Sequence, residues 1–127
     1  MNLSEAKIMV VEDDPLMRTF TAGLLRRLGV VNLKECTDGS AALRLAVTYQ
    51  PDLVLTDIHM KPMNGLDFVQ ALLSSPQAGN VKVIFMSADS SRETLSAALP
   101  LGVVAYIVKP PRLADLKNKL ESALSQT

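Results

Sequence analysis

Five polar side chains whose types could do chemistry follow closely on apolar runs of the sequence. Glu12 and Asp13 follow KIMVV, Asp57 follows LVLT, Ser87 follows VKVIFM and Lys109 follows VVAYIV. Carboxylate oxygens suit Mg²⁺, which binds one or two carboxylates and keeps water or phosphate oxygens as its other ligands. A hydroxyl and an ammonium group can bind phosphoryl oxygens, and a carboxylate can attack phosphorus. The set therefore resembles a phosphoryl-transfer site.

The stretch Glu12-Asp13-Asp14 places three acids in succession, and like charges at this spacing repel one another. Solvation of exposed side chains is one explanation, and a cation bound between them is another. Asp14 is followed by Pro15, which is the usual order at the N-cap and first position of a helix. Asp14 is therefore the candidate helix cap, and either explanation can hold for the other two acids.

Apolar runs and helical periodicity alternate along the chain in five strand–helix units. This alternation predicts a parallel sheet with helices on both faces, and continuously apolar strands are typical of such a sheet. Helix starts are predicted at Asp14-Pro15, at Asp38, at Asn64-Gly65 and at the capping-box pair Ser90 and Glu93. The predicted strands are Lys7–Val11, Asn32–Cys36, Leu53–Thr56, Val81–Met86 and Val103–Val108.

Ligands of open parallel sheets bind beyond the carboxyl ends of the strands. Glu12 and Asp13, Asp57, Ser87 and Lys109 all stand at such ends. The sequence therefore predicts that these side chains share one edge of the sheet.

Composition excludes several classes of function. The 127 residues, 48% of them hydrophobic, suit one globular domain. Basic and acidic residues both number 13, so the net charge is zero, which argues against nucleic-acid binding. Aromatic residues make up only 4% of the chain and tryptophan is absent, so base-stacking platforms are not expected.

Cysteine content and hydropathy predict the compartment. Cys36 is the single cysteine, so no internal disulfide can form, and we expect a small buried strand residue in a reducing cytoplasm. The N-terminal MNLSEAK lacks the apolar core of a signal peptide, and no apolar run has the length of a membrane span. We expect a cytoplasmic protein without a membrane partner.

The motifs VVEDDP, LVLTDIHM, PMNG, IFMSA and YIVKPP stand in an order and spacing that resemble the receiver domain of two-component response regulators. The resemblance is strongest to single-domain members of the CheY type and covers about residues 6 to 124. It implies a (βα)5 flavodoxin-like fold with strand order 2-1-3-4-5. Residues 1–127 are then expected to form a single receiver domain without an output domain.

The resemblance also implies a role for each residue of the acidic set. Asp57 is the expected acceptor of a phosphoryl group from the phosphohistidine of a sensor histidine kinase or a histidine phosphotransfer protein. Asp13 is expected to bind Mg²⁺ directly, together with Asp57, and Glu12 largely through a water. The backbone carbonyl of His59 is expected to complete the protein ligands, while its ring is expected to be exposed.

Further residues are implied to bind the phosphoryl group or to respond to it. Ser87 and Lys109 are expected to bind phosphoryl oxygens, with a cis peptide between Lys109 and Pro110. Ser87 and Tyr106 are the expected switch residues, although core packing explains Tyr106 equally well. Helix 4, strand 5 and helix 5 are the expected output face, which binds a downstream protein. The domain is expected to catalyse its own phosphotransfer and dephosphorylation without being an enzyme in the usual sense.

Two positions depart from the family pattern. Lys61 stands where the family commonly has proline, and Pro62 follows it. We hypothesise that the Lys61 ammonium lies near the phosphoryl site and favours an anion there. Pro100 falls where the family usually continues helix 4, so we predict that this helix ends early or kinks near Leu99.

Other functions share parts of this pattern. Phosphatases with an aspartyl nucleophile also combine Asp, Ser and Lys around Mg²⁺, but their commonest group has Asp-x-Asp, whereas this chain has Asp57-Ile58-His59. A phosphorylation-independent interaction module of the same fold is a second alternative, although degenerate members typically lose the acids or the lysine. A third is that the chain is the receiver fragment of a longer transcriptional regulator.

Overall fold

The computed structural model describes residues 1–76, 80–88 and 92–125. Strands and helices alternate throughout these residues, as the sequence predicts. The elements are β1 (Lys7–Val11), α1 (Pro15–Arg27), β2 (Asn32–Cys36), α2 (Gly39–Tyr49), β3 (Leu53–Asp57), α3 (Gly65–Leu73), β4 (Lys82–Ser87), α4 (Arg92–Ala98), a 3₁₀ turn (Leu99–Leu101), β5 (Ala105–Val108) and α5 (Leu113–Leu124).

The strands form one sheet of order β2-β1-β3-β4-β5, and every neighbouring pair is parallel. The predicted flavodoxin-like fold is therefore confirmed. All residues of the central strand β3 are buried, because helices cover both faces of the sheet. The edge strand β2 buries only Cys36, as expected for that residue.

Alternate residues along each strand pack into two separate cores. Ile8 and Val10 of β1 face the core that contains Leu25 of α1 and Leu116 of α5. Their neighbours on β1 face the opposite core, which contains Phe68 of α3. Because side chains alternate across a strand, each apolar strand supplies both cores at once.

Short polar side chains begin the first three helices, as predicted. The Asp14 carboxylate accepts hydrogen bonds from the backbone N–H groups of Leu16 at 3.0 Å and Met17 at 3.4 Å. Asp38 caps α2 and Asn64 caps α3 in the same way. Each cap satisfies an N–H group that has no partner within the helix. These caps fix where the chain turns back after β1 and before α3.

The segment before β5 differs in part from the prediction. Helix α4 ends at Ala98 and continues as a 3₁₀ turn that contains Pro100, which confirms the predicted early end. Strand β5 begins at Ala105 and not at Val103, because the 3₁₀ turn and Gly102, with φ of 83°, occupy the preceding residues. The apolar pattern of the sequence does not reveal this turn.

Two smaller points complete the comparison. Strand β4 is shifted by one residue, to Lys82–Ser87, because its pairing with β3 starts at Lys82 and its last residue, Ser87, pairs with Val108 of β5. Ser90, half of the predicted capping box, lies outside the described residues.

Gly65 sets how closely α3 approaches the end of β3. Its N–H donates to the Ile58 carbonyl at 2.7 Å. A Cβ atom at this position would lie 2.0 Å from the backbone oxygen of Asp57 and 2.9 Å from the Cα of Ile58. Only glycine fits here without displacing the backbone of Asp57.

We expect Gly65→Ala to lower the free energy of unfolding by about 3 kcal/mol, because the added methyl group forces the backbone apart. Urea denaturation followed by circular dichroism measures this change.

Gly23→Ala is the matched control, since Gly23 lies within α1 and a Cβ there meets no atom within 4 Å. This control should raise stability by up to about 1 kcal/mol, because alanine favours helix. Equal stability of Gly65→Ala and the wild type would contradict the close approach.

Candidate functional site

The sheet register brings the carboxyl ends of the strands to one level. Val11 pairs with Thr56, and Ser87 pairs with Val108. The residues at or just beyond these ends therefore face the same edge, as the sequence predicts. The structure brings the predicted acids and Lys109 into contact there.

Three carboxylates form the centre of the site. Glu12, Asp13 and Asp57 each offer an oxygen, and these oxygens all lie within 4.8 Å of one another. Glu12 and Asp57 are buried, whereas Asp13 is exposed. The cluster therefore has an interior side and a side that solvent reaches. Such a set of hard oxygen donors could hold a divalent cation.

Lys109 contacts both buried acids. Its ammonium Nζ lies 3.2 Å from Asp57 Oδ2 and directly against Glu12 Oε1, and only 9% of its side chain is exposed. The Lys109 N–H donates to the Ser87 carbonyl at 3.0 Å, which ties this residue to the end of β4. The Lys109–Pro110 peptide is cis, as expected, and so is Lys61–Pro62.

The electrostatics of Glu12 reflect opposing influences. Burial, the largest of them, raises the pKa of the Glu12 carboxyl, and the charge of Asp57 raises it further. The hydrogen bond and charge of Lys109 lower the same pKa, and so does the Asp14 N–H, which donates to Glu12 Oε2 at 3.3 Å. Lys109 therefore offsets part of the cost of burying a carboxylate.

Asp57 is oriented through both oxygens. Oδ1 accepts a hydrogen bond from the Ile58 N–H at 2.8 Å, and Oδ2 faces Lys109. The residue Asp57 is 6% exposed. A carboxylate fixed in this way is suited to act as a cation ligand or as a nucleophile.

The two predicted switch residues lie on neighbouring strands. Ser87 is the last residue of β4 and is buried. Tyr106 is half-buried on β5 and packs against the core that contains Phe85. The packing explanation for Tyr106 is therefore supported, and its part in switching stays a prediction.

A cavity of about 270 Å³ lies beside the exposed acid. Its lining is Asp13, His59, Met60, Lys61 and Asn64. The side chains of His59 and Lys61 are exposed, as the sequence predicts for His59. Lys61 therefore lines the same space as Asp13, which is consistent with the hypothesis that it lies near the site.

Arg18 is a site residue that the sequence does not reveal. Its guanidinium donates to the backbone carbonyl of Glu12 at 2.9 Å. An arginine on a helix has the same sequence signature as any solvated surface residue. Only the folded position of α1 shows the contact.

The fold and the site together define a flavodoxin-like α/β protein with an acidic cluster and a lysine at the carboxyl edge of its sheet. The chain belongs to the response regulator receiver domain family, whose sequence model matches residues 8–121. It is a CheY-like receiver domain of the two-component class, and such domains are signalling proteins rather than classical enzymes.

Individual relatives agree with this assignment. The chain is 36% identical to chemotaxis protein CheY-3 of Vibrio cholerae over 91% of this chain and 88% of that protein. It is 32% identical to the transcriptional regulatory protein PdtaR of Mycobacterium tuberculosis over 94% of this chain and 57% of that longer protein. The structure of Vibrio cholerae CheY4 superposes with a TM-score of 0.86 at 25% identity, covering 94% of this chain and 98% of CheY4.

Within residues 1–76, 80–88 and 92–125, no helix is both long enough and apolar enough to cross a bilayer.

We expect Lys109→Met to lower the free energy of unfolding by about 3 kcal/mol at neutral pH in EDTA, because two buried carboxylates lose their counterion. Without Lys109 the pKa of Glu12 rises further, and a raised folded-state pKa favours the protonated form. The deficit should therefore shrink as the pH falls through that raised pKa and grow as the pH rises. Urea denaturation at about pH 5 and about pH 7 measures both effects.

Lys119→Met provides the control, since Lys119 pairs with Asp115 at 2.7 Å on the partly exposed surface of α5. Its cost should stay below about 0.5 kcal/mol. A deficit of Lys109→Met that matches the control, or that does not vary with pH, would contradict the proposed balance of charges.

Proposed function

We propose that this receiver domain accepts a phosphoryl group on Asp57 from the phosphohistidine of a sensor histidine kinase or a histidine phosphotransfer protein. The observation that carries the proposal is the placement of Asp57. Its carboxylate belongs to a cluster of three acids and lies 3.2 Å from the Lys109 ammonium. A fixed carboxylate beside a cation is the arrangement that an aspartyl nucleophile requires.

In the proposed reaction, an Asp57 carboxylate oxygen attacks the phosphorus atom. The bond from phosphorus to the donor imidazole nitrogen breaks, and its electron pair returns to that nitrogen. The product is an acyl phosphate on Asp57. Water later attacks the same phosphorus atom, which releases inorganic phosphate and restores the carboxylate. The domain is thus phosphorylated once per transfer and regenerated by hydrolysis.

Lys109 and Ser87 have binding roles in this proposal. The phosphorylated Asp57 carries about two negative charges in place of the one on its carboxylate, next to the acids Glu12 and Asp13. The Lys109 ammonium compensates that charge, and the Ser87 hydroxyl donates a hydrogen bond to a phosphoryl oxygen. Ser87 is suited to this by its position at the buried end of β4.

The donor set fits Mg²⁺. Its three carboxylates are hard oxygen ligands within 4.8 Å of one another, and one of them is open to solvent. Asp13 and Asp57 would hold the ion directly, Glu12 largely through a water, and the His59 backbone carbonyl would complete the protein ligands. When bound, the ion supplies positive charge that neutralises phosphoryl oxygens.

The output is proposed to run through a change in partner binding. Phosphorylation shifts the loop after Ser87 together with Tyr106, and the face formed by α4, β5 and α5 then binds a downstream protein in the cytoplasm. Helix α4 ends early, at Ala98, so we expect this face to differ from that of family members in which the helix continues. We therefore do not assign a flagellar-motor partner.

The similarity to PdtaR favours a second candidate. That relative is a transcriptional regulatory protein, and the match covers 57% of its length. The same receiver could therefore operate as part of a longer regulator, with unchanged chemistry at Asp57.

Acetyl phosphate with Mg²⁺ should add one phosphoryl group to the protein, because a small donor needs only the receiver's own site. Intact mass spectrometry measures the gain, and EDTA should abolish it. We expect Asp57→Asn to prevent the gain, since the nucleophile is removed.

Asp67→Asn is the matched control, because Asp67 is an exposed acid in the first turn of α3. It should accept the phosphoryl group as the wild type does. A folded wild-type protein that gains no mass would favour the phosphorylation-independent module. Continuous turnover of a phosphorylated substrate, without stoichiometric uptake, would favour a phosphatase.

Lys61→Ala should slow phosphorylation by acetyl phosphate about fivefold, because one charge at contact distance in water contributes about 1 kcal/mol. Pseudo-first-order rates at fixed Mg²⁺ measure the effect, and the rate of phosphate release is recorded alongside.

Lys117→Ala removes an exposed lysine on α5 as the control and should leave both rates unchanged. If Lys61→Ala also leaves phosphorylation and dephosphorylation unchanged, the hypothesis that Lys61 favours the anion is wrong.

A further inference from the structure

We propose that Arg18 is a positioning residue for the cation site, acting through the backbone of Glu12. The Arg18 Nη1 donates to the Glu12 carbonyl oxygen at 2.9 Å from the second turn of α1. This inference rests on the proposed function, because it concerns the same acidic cluster. It adds a residue that contacts neither the phosphoryl acceptor nor the expected ion.

The bonded carbonyl lies between two acids of the cluster. It belongs to the peptide that joins Glu12 to Asp13, so fixing its direction also fixes where the Asp13 side chain starts. The backbone N–H of Glu12 donates a hydrogen bond to the Cys36 carbonyl on β2 at 3.0 Å. The backbone of Glu12 is thus held from β2 and from α1 at once. Such support of ligand residues raises metal affinity by reducing what must be ordered on binding.

Glu35 pairs with Arg18 and thereby lowers the cost of placing a positive charge next to the proposed cation site. Arg18 Nε lies 3.8 Å from Glu35 Oε1 on the edge strand β2. The carboxylate offsets part of the guanidinium charge that would otherwise repel a divalent cation. The planar guanidinium can face a carboxylate and a carbonyl together, which a lysine ammonium on a single flexible stem does less well.

Comparison with Arg26 distinguishes the positioning role of Arg18 from a general attachment of α1 to β2. Its Nη2 lies 3.6 Å from the other oxygen of Glu35, with 60% of the side chain exposed. Arg26 also lies about two helical turns beyond Arg18, away from the acidic end of β1. Both arginines join the same helix to the same strand, but the bond to the Glu12 carbonyl belongs to Arg18.

The sign of the effect distinguishes positioning from simple electrostatics. Removal of a positive charge near the acids would, by Coulomb's law alone, strengthen Mg²⁺ binding. Loss of a positioning bond would weaken it, as loss of support behind metal ligands commonly does, by about tenfold or more. The two explanations therefore predict opposite changes in the dissociation constant.

The experiment is a Mg²⁺ titration of the unphosphorylated full chain, followed by backbone amide chemical shifts. We expect Arg18→Met to raise the Mg²⁺ dissociation constant about tenfold. Arg26→Met, the control, should stay within about twofold of the wild type because its pairing is exposed. The phosphorylation rate should recover at saturating Mg²⁺, so that half-saturation shifts while the maximal rate does not.

The experiment distinguishes failure of this inference from failure of the proposed function. A wild-type chain that binds no Mg²⁺ would overturn the cation site, and this inference with it. A wild type that binds Mg²⁺ while Arg18→Met binds equally or more tightly would overturn the inference alone. Equal weakening by Arg18→Met and Arg26→Met would overturn it too, since a general attachment of α1 to β2 would then suffice.

Arg18→Lys keeps the test decisive if Arg18→Met does not fold. It retains the charge but lacks the planar arrangement that reaches Glu12 and Glu35 together. A dissociation constant clearly above that of the wild type supports the positioning role. A dissociation constant equal to the wild-type value overturns it.

Discussion

The rest of the site depends on one electrostatic constraint, which is the burial of two carboxylates next to each other. Glu12 and Asp57 lose most of their contact with water, and the charge of Asp57 raises the pKa of Glu12. A buried charge is tolerated only when it is paired and hydrogen-bonded. Lys109 meets that requirement for both acids from the end of β5, two strands away from β3 in the sheet. Its long side chain is therefore part of the architecture.

The parallel sheet is what allows one lysine to serve two acids. In such a sheet every strand ends at the same edge, so groups from β1, β3 and β5 meet without any loop reaching across. The segments that follow β1 and β3 then have to lead away from that edge. Gly65 lets α3 begin directly against the backbone of Asp57, and the Asp14 cap turns α1 away immediately after the acids. Sheet topology and local turn chemistry thus serve the same cluster.

The sequence predicts what depends on local chemistry and misses what depends on packing. The strand-end acids and the capping roles of Asp14 and Asn64 follow from residue type and neighbours alone. The strand order came from resemblance, because periodicity cannot distinguish one parallel arrangement from another. The predicted strand β5 is two residues too long. The residues before it are also apolar, so hydropathy does not show where the 3₁₀ turn around Pro100 ends and the strand begins. The contact of Arg18 with Glu12 cannot be predicted from the sequence, because its partner is a backbone carbonyl and every residue has one.

The burial of the acids also divides the site into two functional halves. Glu12, Asp57 and Lys109 form a closed half in which one ammonium faces two carboxylates. Asp13, His59 and Lys61 form an open half around the cavity, and all three are exposed. In the proposed reaction the new phosphoryl charge competes with Glu12 for the Lys109 ammonium, so Glu12 needs a second cation as compensation. In that proposal, the exposed acid next to the buried one in VVEDDP would admit the cation that the buried pair needs once Lys109 is shared.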